Sequence, residues 1–75
     1  MKNKTILASY IIANCLALHI TELDEEAETL KVCYSVDGEL KKESRPLKIY
    51  YNLNGDPYFK YKKRRYYINN FIIRY

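Results

Sequence analysis

The 75-residue chain is poor in the residues from which recognisable chemistry is most often built, with two Gly, two Pro, two Cys and one His. So little Gly and Pro, beside 48% apolar residues, excludes a disordered tail and points to an ordered globule. With a single His and no CxxC spacing, four zinc ligands cannot be assembled. There is no GXXG loop and no RNP1-like string, so no nucleic-acid module can be named from a motif. The acids Glu22, Asp24, Glu25, Glu26 and Glu28 are clustered, but they do not follow a calcium loop such as D-x-D-x-D-G, and a solvated hairpin loop accounts for them. Catalytic, cofactor-binding and metal residues are all expected to be absent.

A long uninterrupted apolar run is missing too. Met1 to Ile20 opens with lysines and turns apolar, yet Ser9, Asn14 and His19 interrupt it, and no small-x-small cleavage site precedes a mature domain of sufficient length. A membrane span needs about 20 predominantly apolar residues, so the segment reads as soluble core. At this length one domain, residues 1–75, is expected, near the lower limit of what folds unaided.

What is abundant is tyrosine and lysine, and both are unevenly placed. Residues 1–40 hold three lysines against seven acids, a net of −4, whereas residues 41–75 hold ten Lys and Arg against Glu43 and Asp56, a net of +8. The potential for binding an anionic partner therefore lies in the C-terminal half. It is concentrated in Leu47 to Ile68, LKIYYNLNGDPYFKYKKRRYYI, which reads as strand, turn, strand, turn, strand.

The first of these turns is Asn54-Gly55-Asp56-Pro57. With Asn54 to Asp56 as the loop, Leu53 lies opposite Pro57, Tyr51 opposite Phe59 and Ile49 opposite Tyr61. Leu47, Ile49, Tyr51, Leu53, Phe59 and Tyr61 then share one face, and Lys48, Tyr50, Asn52, Tyr58, Lys60 and Lys62 share the other. The second turn falls in Lys62-Lys63-Arg64-Arg65, four charges that belong at a solvated tip. Lacking Gly or Asn, it is expected as a four-residue loop that sets Tyr61 opposite Tyr66, Phe59 opposite Ile68 and Lys60 opposite Tyr67.

Upstream, Leu16, Leu18 and Ile20 alternate with Ala17, His19 and Thr21, and Leu30, Val32, Tyr34 and Val36 alternate with Lys31, Cys33 and Ser35. Folding about Glu26 pairs Leu18 with Tyr34, His19 with Cys33 and Ile20 with Val32. Before this hairpin the signal divides. Ile6, Leu7, Tyr10 and Ile11 make a helical stripe that Asn3 caps, whereas Ile6, Ala8, Tyr10 and Ile12 alternate as a strand does. A single strand from Ile6 to Leu23 would be about twice the usual maximum length, so a short helix ending near Asn14 and then a strand are expected. Asp37-Gly38 is a turn, Leu40 to Glu43 a short charged strand or connector, and Asn69-Asn70 a turn before Phe71, Ile72, Ile73 and Tyr75, which dock as a final turn or edge strand.

The expected fold class is α+β and β-rich: a small antiparallel sheet or partial barrel of about five strands built from hairpins. A short N-terminal helix packs on its apolar face; the alternative is a small all-β barrel. His19 and Cys33 form the one catalytic-looking pair, but no third orienting group can be named, and half-buried Cys is more often plain packing. Cys15 lies four strand residues beyond His19, hence roughly 13 Å from Cys33 and out of disulfide reach of about 7 Å. Two thiols suit a reducing, cytoplasmic compartment.

Function rests on the basic, tyrosine-rich face. Lys48, Tyr50, Tyr58, Lys60, Lys62, Lys63, Arg64, Arg65 and Tyr67 are the candidate binding residues of a non-catalytic module. Rings interleaved with cations suit nucleic acid, single-stranded or structured, because bases stack on aromatics while Lys and Arg displace counterions from phosphates. The same residue types suit an acidic surface of a host protein. Ile, Lys, Asn and Tyr dominate the composition, a bias of AT-rich coding DNA, which fits a phage-type accessory protein that inhibits a host nuclease complex. No membrane partner is expected, and an acidic lobe opposite in sign to the basic one allows self-association at low salt, a homodimer included.

Overall fold

The computed structural model describes residues 6–73, and almost all of the regular structure among them is antiparallel β-sheet. The strands are β1 (Ala8–Ala13), β2 (Leu16–Asp24), β3 (Thr29–Val36), β4 (Glu39–Leu40), β5 (Leu47–Lys48), β6 (Tyr50–Tyr51), β7 (Pro57–Tyr61), β8 (Arg64–Tyr67) and β9 (Ile72–Ile73). They form two sheets. One runs in the order β4-β3-β2-β1-β9, with β5 also paired to β3, and the other in the order β6-β7-β8.

The expected N-terminal helix is not formed. Residues 8–13 are the strand β1, paired with β2 so that Ala8, Ser9 and Tyr10 face Ile20, His19 and Leu18. The long apolar segment meets the length limit by reversing at Asn14-Cys15, where Cys15 takes a left-handed φ of 64°. No Gly marks that turn, which is why the reversal is hard to see in the sequence. The β-branched pair Ile11-Ile12 and the alternation of Ala8, Tyr10 and Ile12 were the better guide. Asn3, expected as a cap, and Tyr75, expected in the docked C-terminal segment, lie outside the described residues.

The β2–β3 hairpin has the expected pairs, Leu18 with Tyr34, His19 with Cys33 and Ile20 with Val32. Beyond Ile20 the ladder is irregular and resumes with Glu22 opposite Lys31. Thr21, the residue skipped, donates its hydroxyl to the Lys31 carbonyl and to the Glu43 carboxylate. Asp37-Gly38 turns the chain into β4 with both residues at positive φ. Ser44 then holds the connector against β3, its N–H donating to the Val32 carbonyl and its Oγ accepting from the Val32 N–H.

The passage between the sheets is a single extended segment. Leu47 and Lys48 pair with Leu30 and Thr29 in the first sheet, and Tyr50 and Tyr51 pair with Tyr58 and Pro57 in the second. Between them Ile49 is buried, and its N–H donates to the Glu28 carbonyl at 2.9 Å. The return passage is a 3₁₀ turn, Ile68–Asn70, after which β9 pairs with β1 at the edge of the first sheet, as expected of the apolar C-terminal residues. The two sheets are thus joined at two places, but no barrel is closed.

Their apolar faces meet in one core. Leu18, Ile20, Leu30 and Val32 from the first sheet pack with Ile49, Phe59, Tyr66 and Phe71, and Phe59, Leu18 and Val32 are wholly buried. Aromatic rings make up much of it: Phe59 stacks on Tyr66 at 5.5 Å and meets Phe71 at 5.8 Å, and Tyr10 lies against both Tyr66 and Phe71. Two residues expected on this inner face are not in it. Leu53 is fully exposed and Tyr51 half-exposed, because β6 ends at Tyr51 and the chain leaves the sheet as a loop.

Candidate functional site

Three tyrosines from neighbouring strands form a row across the outer face of the second sheet. Tyr50 stands opposite Tyr58 and Tyr58 opposite Tyr67, with ring centroids 5.6 and 5.3 Å apart. Both registers are displaced by two residues from those expected, since Tyr51 rather than Leu53 meets Pro57, and Phe59 meets Tyr66 rather than Ile68. A displacement of two keeps the paired residues Tyr50, Tyr58, Lys60, Arg65 and Tyr67 on the outer face and Phe59, Tyr61 and Tyr66 on the inner one.

The displacement has separate causes at the two turns. At the first, a five-residue loop is closed by Asn52, whose Oδ1 accepts from the N–H groups of Asn54 and Asp56 at 2.9 and 2.8 Å. At the second, Lys62 and Lys63 alone make the reversal, at φ 53° and 64°. This is the tight primed geometry usually given to Asn-Gly, adopted here by two lysines.

Cations lie over the row. The Nζ atoms of Lys60 and Lys48 are 5.2 and 5.8 Å from the Tyr50 centroid, and the Arg65 guanidinium carbon is 4.6 Å from that of Tyr58, all within cation–π range. Lys48 comes from the first sheet, where it pairs with Thr29 next to Ile49. Tyr58 therefore has a ring on either side and a guanidinium above it. The face offers cations held among phenol rings, and a base stacking on its centre must displace Lys60 or Arg65.

Six of the nine candidate residues share this face: Lys48, Tyr50, Tyr58, Lys60, Arg65 and Tyr67. Lys62, expected there by alternation, instead has its Nζ 5.6 Å from the ring of Tyr61 on the inner side. The left-handed turn ends the strand periodicity at that residue. Arg64 also belongs to the inner side, opposite Tyr61 in the ladder, and Lys63 is exposed at the tip.

Two tyrosines of the inner side are shifted by burial. Burial holds the Tyr66 phenol up to about 12, helped by a hydrogen bond with Tyr34, and burial likewise raises Tyr61, which packs on Tyr34 at 5.5 Å. Beside the outer row, the β6–β7 loop borders an open surface groove lined by Tyr51, Asn52, Leu53, Asn54, Tyr58 and Arg65.

His19 and Cys33 do stand opposite one another, but both are buried. The sequence named no orienting group, and the fold supplies two. The hydroxyl of Ser9 lies 2.7 Å from His19 Nδ1 and that of Ser35 lies 2.8 Å from Nε2. Ser9 becomes visible as a partner only once residues 8–13 are read as a strand. With both ring nitrogens engaged, the imidazole is a satisfied polar group within the sheet. Cys15 is exposed at its turn, and no disulfide joins it to Cys33.

Among the described residues, no three His, Cys, Asp or Glu side chains are grouped to hold a metal ion, and no helix is long and apolar enough to cross a membrane. Comparison with family models, with curated proteins and with solved structures gave no match to this chain.

Proposed function

We propose that this chain is a non-catalytic binding module that engages single-stranded or structured nucleic acid through the outer face of its second sheet. The observation that carries the reading is the row Tyr50, Tyr58 and Tyr67 with Lys48, Lys60 and Arg65 set over its rings. Cations fixed at ring height can meet phosphate oxygens while the phenols hydrogen-bond the backbone or stack at the end of the row. A cytoplasmic setting is part of the proposal, in keeping with two cysteines that are not joined.

The test is binding to a labelled single-stranded oligonucleotide over a salt series. Affinity should fall steeply with salt, and Tyr50→Ala or Tyr67→Ala should lose more than charge removal explains. No binding even at low salt overturns the reading.

A second reading, inhibition of a host protein such as a nuclease complex, is favoured by apolar side chains outside the tyrosine row. Leu7, Leu23, Ile68 and Ile73 border an apolar groove of about 340 Å³, the composition of a protein-binding patch. A tagged pull-down split into nuclease-treated and untreated halves separates the two. One host protein kept after nuclease treatment favours this reading.

A further inference from the structure

We infer that the groove between the β6–β7 loop and the Tyr58–Arg65 pair seats one unpaired nucleotide, a subsite of the nucleic-acid face proposed above and resting on that reading. The loop that walls the groove is built in advance. Besides the two N–H groups bound at Asn52 Oδ1, Asn52 Nδ2 donates to Asp56 Oδ2 at 3.2 Å, the Asn52 N–H to the Asp56 carbonyl at 3.1 Å, and the Gly55 N–H to the Asn52 carbonyl at 3.0 Å. Gly55 sits at φ 86°, where a side chain would be strained.

This internally bonded loop holds Leu53 wholly in solvent, at 105% relative exposure. A leucine that merely lacked a place in the core would be expected on a slack loop, free to fold back; here the backbone around it is tied down on both sides. The groove it overlooks is open to solvent.

Its lining divides by chemistry. The rings of Tyr51 and Tyr58 and the Leu53 side chain are apolar walls for a base. The exposed amide of Asn54 carries both a donor and an acceptor for a base edge. Arg65 stands at the boundary between groove and tyrosine row, where the attached phosphate would lie. Lys60 and Lys48 continue the positive charge over Tyr50, so the occupant is an anion carrying a flat apolar part, which is a nucleotide in a strand. A base inside a duplex cannot reach the groove, whereas a bulged or flipped one can, with Leu53 as the wedge beside it.

The experiment compares two blunt oligonucleotide duplexes, identical except that one carries a single bulged 2-aminopurine, with a single strand as reference. The intact chain should bind the bulged duplex at least about fivefold more tightly than the paired one, the lower end of what one base stack contributes, with a change in 2-aminopurine fluorescence. Leu53→Ala and Asn54→Ala alter exposed side chains and should remove that preference while leaving affinity for the fully paired duplex unchanged. Asn52→Ala, which unties the loop, should reduce the preference. Equal affinity for the two duplexes with unchanged fluorescence overturns the subsite and leaves the binding face standing. Failure to bind either duplex or the single strand at low salt overturns both, as does capture through Leu53 of a protein partner by the nuclease-treated chain.

Discussion

Arg65 and Tyr58 come from adjacent strands and meet with the guanidinium carbon 4.6 Å from the ring centroid, the shortest cation-to-ring approach found among the described residues. A flat guanidinium can remain on the ring while its outer N–H groups fork onto a phosphate, which a lysine ammonium cannot do. Arg65→Lys should therefore weaken oligonucleotide binding although charge is kept. Lys60→Gln should weaken it through charge, lowering the salt slope by about 0.7–1. Titrations at three or more ionic strengths distinguish them, and equal slopes for wild type and Lys60→Gln would contradict the phosphate contact.

The lysine turn sets stability against binding. Lys62 and Lys63 hold φ values of 53° and 64°, and relief of the left-handed penalty by Lys63→Gly should stabilise the fold by about 1 kcal/mol. The same change removes a cation from the tip, so oligonucleotide affinity should fall. Urea denaturation and a binding titration on one preparation check both signs.

Alkali should unfold the protein through its inner tyrosines. Tyr66 is held up to about 12 from an ordinary 10.0, and Tyr61 is raised in the same direction. A group whose pKa is higher in the folded state stabilises it fully below the unfolded value, and that contribution is lost as pH rises towards the folded one. Stability should thus be insensitive to these groups below pH 10 and fall between about 10 and 12. Phenolate absorbance followed with circular dichroism should show ionisation of Tyr61 and Tyr66 coinciding with unfolding.

Two substitutions probe the interior. Phe59→Ala empties the centre of the shared core, where Phe59 has no exposed surface, and should cost about 3–5 kcal/mol. Ser9→Ala takes away the hydroxyl at 2.7 Å from His19 Nδ1 in a site where Ser9 is 2% exposed, and should cost about 1–3 kcal/mol. Chemical denaturation measures each, and a neutral Ser9→Ala would show that the imidazole is indifferent to that partner.

What the sequence revealed followed from period-two alternation. The pairing of Leu18 with Tyr34 and Ile20 with Val32 was legible because apolar residues alternate on both sides of an acidic turn, and the outer placement of Tyr50, Tyr58, Lys60 and Tyr67 was legible for the same reason. Turn lengths were not. Asn52 closes its loop through a side-chain carbonyl five residues' span wide, and Lys62-Lys63 and Asn14-Cys15 turn without glycine, so the cues that normally fix register were silent or misleading. The missed strand β1 and the misplaced Lys62 both trace to such turns. Tyr51 and Leu53 show the complementary limit: alternation assigns a face only while the strand lasts.

The passage through Ile49 makes neither sheet a detachable part. Lys48 is anchored by Thr29 on one side of that residue and Tyr50 by Tyr58 on the other, so the spacing between the lysine and the ring it covers is set by both sheets. Cutting out residues 47–75 as a peptide would take away the strand that places Lys48. Anyone transplanting this surface onto another scaffold would have to carry the acidic, N-terminal half along as its jig.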